Sequence, residues 1–180
     1  MTGRRRDPDE PTGPPPPRHG ANYGDRTTTP STGASPQGAS WFQILPPSPF
    51  SHVLATDNTV EHITELPALT IPYAGVWQIS YGVHENFALT AAGGTVLIHT
   101  VLYKNAAAIP GTEAVTGYKT LGAEGFQATT GQTVLHAFAA QDRVTLRAHR
   151  AGGTPSAGAV ISSGDGGTTQ IAAHWVSPGF

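Results

Sequence analysis

From about residue 66 to its end the chain alternates apolar and polar side chains with a period of two, and glycine-rich turns cut the alternation into short segments. Successive side chains of a strand point to opposite faces, so this pattern suits a sheet with one buried face and no helix, whose repeat is 3.6. The clearest segment is IPYAGVWQISY, residues 71–81. It sets Trp77, Ile79 and Tyr81 on a core face with Val83, and Gln78, Ser80 and His84 on the other. Further runs follow at TVLIHTVLYKN (95–105), TVLHAFAA (133–140), RVTLRAH (143–149) and TQIAAHWVS (169–177). LTAAGGT, AGGTPSAG and SSGDGG lie between runs and are turn chemistry. Short strands separated by such turns predict an all-β antiparallel sandwich or barrel.

Residues 133–149 read as a hairpin turning at Gln141 and Asp142. That register sets Ala139 opposite Val144, Ala137 opposite Leu146 and Leu135 opposite Ala148, giving an apolar core face that includes Leu135, Val144 and Leu146. The opposite face then carries Val134, His136 and Phe138 beside Arg147 and His149. An exposed Val134 and Phe138 call for a partner, most simply a second copy of the chain.

The first forty residues have a different character. They hold eight of the sixteen prolines and hardly an aliphatic side chain, too little apolar surface to offset the entropy of ordering. Residues 1–40 are therefore expected to be a disordered or extended tether, and 41–180 the folded head. Trp41, Phe42, Ile44 and Leu45 open the head region and read either as an apolar anchor of the arm or as the first core strand; the prolines at 46, 47 and 49 then favour an edge position.

Several function classes lose support. A net charge of −2 with 12% charged residues gives no basic footprint for nucleic acid. The absence of cysteine removes disulfides, thiolate metal sites and cysteine nucleophiles. No apolar run follows the N-terminal arginines and none approaches the roughly 18 residues of a membrane span, so neither a Sec-type signal nor membrane insertion is expected. HEN at 84–86 lacks the second histidine of a zinc-protease helix, GASPQG at 33–38 lacks the spacing of a nucleophile elbow, and SSGDGG offers one carboxylate, Asp165, where a calcium loop needs several. Glu85, Glu113 and Glu124 fall in apparent loops with no spacing that fixes a glycosidase pair. His84, His99, His136, His149 and His174 lie in or beside strands, with His136 and His149 diagonal on one face; they read as surface or interface groups, as ion holders at an oligomer axis, or as ligands of a cupin-like metal enzyme. No catalytic residue, cofactor or resident metal is expected.

The segment Ile71–Tyr81 resembles the Pro-x-x-Gly-x-aromatic strand of the complement globular-head and tumour-necrosis-factor-like jelly rolls. Val101–Asn105 is similar to that family's apolar-x-Lys-Asn-Gly strand end, with Ala106 in place of the glycine. Residues 134–146 resemble its hairpin, with Gln141 for the turn glycine, and IAAHWVSP occupies the place of its closing strand. The resemblance implies a jelly-roll sandwich of about ten strands, a homotrimer, and an assembly or ligand-binding head instead of an enzyme. It also gives the Val134, His136, Phe138, Arg147 and His149 face a role as trimer interface.

With no export signal in view, the economical setting is a bacteriophage virion: a head fibre, capsid decoration or tail spike assembled in the host cytoplasm and exposed on the particle. Residues 1–50 would dock on other virion proteins, and the jelly roll would meet host surface glycan or protein. The alternatives are a cellular actinobacterial ligand-binding module and a metal-dependent cupin-like enzyme.

Overall fold

The computed structural model describes residues 40–89, 95–119, 123–152 and 157–178. The described residues form thirteen strands and no helix, and so no helix long and apolar enough to cross a membrane. The expected arm of residues 1–40 lies, but for Ser40, outside them.

The strands build an antiparallel jelly-roll sandwich of two sheets. The spine of the first is β5 (Gly75–Leu89), fifteen residues long. Its first half lies between β10 (Thr133–Phe138) and β13 (Gln170–Ser177), and β13 in turn pairs with β1 (Trp41–Ile44). Its second half lies between β9 (Glu124–Thr130) and β12 (Ala157–Ser163), and β12 pairs with β2 (Phe50–Val53). In the second sheet β11 (Arg143–Ala151) pairs along its length with β6 (Thr95–Lys104). Short strands β3 (Glu61–His62) and β4 (Leu69–Thr70) flank β11, while β7 (Ala107–Ala108) and β8 (Ala114–Lys119) flank β6. The count exceeds the expected ten because three of these pieces are two residues long.

Between the sheets, Trp77 and Ile79 from β5 are fully buried with Ile98 and Leu102 from β6, Val144 from β11, Ile161 from β12 and Ile171 from β13; Leu146 and Tyr81 join them. The Tyr81 hydroxyl donates to the Thr112 carbonyl at 2.6 Å, and burial pushes its pKa up to about 12. Phe42 packs edge-on to Trp77, with ring centroids 5.6 Å apart.

The structure corrects the expected hairpin. β10 pairs with β5 and β11 with β6, β3 and β4, so the two strands joined by the turn lie in opposite sheets. The turn's hydrogen bonds explain the switch. Gln141 N donates to the Ile71 carbonyl and Ile71 N to the Asp142 carbonyl. The Asp142 carboxylate accepts from Ala139 N at 2.8 Å and from the Asn105 side-chain amide at 2.9 Å. These partners pull the turn onto the β4–β5 and β6–β7 connections and leave no ladder between its arms. Gln141 takes φ 69°, the left-handed conformation that favours glycine.

Gly75 starts β5 at φ 148°, and a Cβ there would sit 2.4 Å from the Ser177 carbonyl oxygen and 2.6 Å from the Trp175 indole nitrogen, where β13 bulges. Gly75→Ala is expected to destabilise the fold by about 1–3 kcal/mol, read as a lower denaturant midpoint at unchanged slope.

Candidate functional site

The outer face of the first sheet is the candidate. Its positions follow from parity: Phe42, Ile44, Trp77, Ile79, Ile171 and Ala173 point into the core, so their sequence neighbours point out. Strand pairing lines these neighbours up in rows. Trp41 stands opposite His174, His174 opposite Gln78, and Gln78 opposite Leu135. The next row is Gln43, Ala172, Ser80 and Thr133. The Gln43 side-chain amide donates to the Gln170 side chain along the edge of this face. Trp41 is 58% exposed and Leu135 62%, so large apolar groups stand at both ends of one row with small and uncharged ones between. A hollow of about 350 Å³ lies beside Trp41, lined by Gln78, Ser80, Ala172 and His174.

No Asp, Glu, Lys or Arg occupies an outward position of β1, β13, β10 or the first half of β5. Four strands of about five residues make an area of roughly 19 by 17 Å. Exposed apolar groups at both ends of an uncharged row make this face a candidate for contact with a partner.

The outer face of the second sheet differs. There Arg143, Thr145, Arg147 and His149 point outward from β11, opposed on β6 by Tyr103, Val101 and His99. Arg147 lies over the Tyr103 ring at 4.4 Å. His149 stacks on His99 with centroids 4.5 Å apart, and His99 Nδ1 is 2.8 Å from the Glu113 carboxylate.

The five residues expected to share one interface are therefore divided. Val134, His136 and Phe138 face inward on β10: Phe138 is buried and Val134 packs against the core. Arg147 and His149 lie on the other sheet. Leu135, expected in the core, points out on the uncharged face. Phe42 and Ile44 are buried, whereas Trp41 and Leu45 of the same segment are exposed, so this stretch is a core strand with an outward apolar side. The separation of His136 from His149 removes the diagonal pair. His84 is buried under the turn at Gly166 and Gly167, and His174 is on the uncharged face. Among the described residues no group of three or more His, Asp or Glu could hold a metal ion.

Glu85 is also not in a loop. It lies in β5, fully buried between Val83 and Phe87 on the core side, and accepts a hydrogen bond from the Thr130 hydroxyl at 2.9 Å. Its second oxygen, Oε2, makes no hydrogen bond of normal geometry; burial pushes the pKa above the ordinary carboxylate value and outweighs the Thr116 and Thr130 hydroxyls, which favour the charged form.

No family model matches the chain, and no curated protein matches it. Among solved structures the chain is similar to the Eiger tumour necrosis factor of S. frugiperda, at a TM-score of 0.47 and 8% sequence identity over 78% of this chain and 94% of that one.

Proposed function

We propose that this chain is a non-catalytic assembly protein, a jelly-roll head that forms a homotrimer by burying its uncharged sheet face against copies of itself. The observation that carries this reading is the row Trp41, His174, Gln78, Leu135, apolar at both ends and free of formal charge. Depletion of charge with exposed aromatic and aliphatic groups is what distinguishes the centre of an interface from ordinary surface. The number three rests on the resemblance carried by Ile71–Tyr81 and Val101–Asn105. The setting we propose is a bacteriophage particle, where the proline-rich residues 1–40 dock the head and leave the jelly roll displayed.

Native mass measurement of the full chain at micromolar concentration tests the assembly. The expected species is three times the 18.7 kDa chain, and a monodisperse monomer overturns it. Peptide mapping of purified phage particles tests the setting separately: the chain is expected among the virion proteins, and its absence rejects the virion while leaving the trimer intact.

A further inference from the structure

Strand β11 carries Arg143, Arg147 and Arg150, the only arginines of residues 41–180. A chain of net charge −2 has thus gathered half its jelly-roll arginine and lysine charge, and more, on one strand: the others are Lys104 and Lys119. Arg143 and Arg147 point outward about 13 Å apart, and His149 continues the line about 7 Å further. His62 on β3 stands beside Arg147, and His99 on β6 beside His149. Two guanidinium groups and three imidazoles therefore form a strip about 20 Å long on a flat sheet.

The nearby carboxylates are already engaged. Glu61 and Glu65 both hold the His52 imidazole, at 3.3 and 3.0 Å. Glu113 holds His99, and the Asp57 carboxylate accepts from the Asn58 side-chain amide. Among the described residues, Arg143 and Arg147 have no carboxylate within ion-pair distance. Arg147 Nε lacks a hydrogen-bond partner, as does His149 Nδ1, although both atoms are shielded from water. Burial and then the charges of Arg147 and Arg143 hold His62 below its ordinary pKa. The Arg147 guanidinium rests over the Tyr103 ring, and its planar fork suits a carboxylate.

We infer that the outer face of β11 is a binding site for a linear acidic polysaccharide, whose carboxylates bridge Arg143 and Arg147 while His62, His99 and His149 hydrogen-bond its hydroxyls. A polysaccharide suits the site better than nucleic acid, because the five lysines and arginines of residues 41–180 give a weak phosphate footprint and the Tyr103 ring beside the strip is covered by Arg147. The site is on the sheet opposite the uncharged face and does not need the trimer to form.

Affinity electrophoresis of the full chain through gels containing polygalacturonate or neutral dextran tests this. Polygalacturonate is expected to retard the chain, less as salt rises, and dextran not to. Arg147→Gln is expected to weaken retardation at least tenfold with the circular dichroism spectrum and native mass unchanged, and Arg143→Gln to do the same should loss of the Tyr103 contact disturb Arg147→Gln. Val53→Glu makes the same one-unit charge change on β2 of the other sheet and is expected to bind as wild type. No retardation by polygalacturonate, equal loss in Val53→Glu, or tighter binding of a single-stranded oligonucleotide overturns the assignment.

Discussion

Phe138→Asp is expected to leave an unfolded chain, and Leu135→Asp, three positions earlier on the same strand, a folded chain that no longer assembles. Phe138 is 4% exposed and its ring meets His136 edge-on at 4.9 Å. Removing a buried phenylalanine ring costs about 3–5 kcal/mol, against a total stability of about 5–15 kcal/mol for a domain. Lys104, 5.5 Å from the ring centroid, softens the burial of the new carboxylate but does not fill the void. Leu135 stands 62% exposed, so a charge there changes the stability of the single chain by about 0.5 kcal/mol or less. In the assembled state the same charge is desolvated at the end of an uncharged row, at a cost of several kcal/mol. Far-UV circular dichroism with sedimentation separates the outcomes. A folded Phe138→Asp chain contradicts the inward face of β10, and a Leu135→Asp chain with the wild-type mass rejects this face as the interface.

Glu85→Gln is expected to stabilise the protein at pH 7.5 by about 1–3 kcal/mol and to flatten part of its pH dependence. Burial raises the Glu85 pKa above 4.5 in the folded chain, so the folded state holds the proton to higher pH than the unfolded state does. Stability from this group is complete below the ordinary value and falls as pH rises through the folded one, after which the penalty is constant. Glutamine keeps an acceptor for the Thr130 hydroxyl and carries no charge at any pH. Histidines His62, His136 and His149, held below their ordinary value first by burial, act in the opposite sense, but they are common to both proteins. The difference between the two unfolding free energies is therefore expected to widen from pH 4 to pH 7.5, and parallel curves reject a strained Glu85.

Trp77, Ile79 and Tyr81 were legible in the sequence because Gln78 and Ser80 leave one apolar parity in β5. On β10 both parities are apolar, with Val134 and Phe138 on one and Leu135 and Ala137 on the other. The polar His136 then argues for the wrong outward face; in the structure it is only half-buried and its Nε2 has no partner. The β10–β11 turn looks local, yet the bonds that set it go to Ile71 and Asn105, which no short-range pattern announces. Glu85 sits on the core parity of Val83 and Phe87, and a lone carboxylate among polar neighbours hid the continuation of β5. The uncharged face was invisible for a further reason: it joins side chains from Trp41 to Val176, and only the strand order β1, β13, β5, β10 brings them together.

The uncharged face and the arginine strand belong to opposite sheets of one sandwich, so an assembly closed through the first would leave every copy of the second facing outward. The proposed trimer would carry three cationic strips, and a long polymer that touches one would meet the next at high effective concentration. Weak grip at a single strip would then become firm attachment of the assembly, with an avidity set by the number of strips it carries.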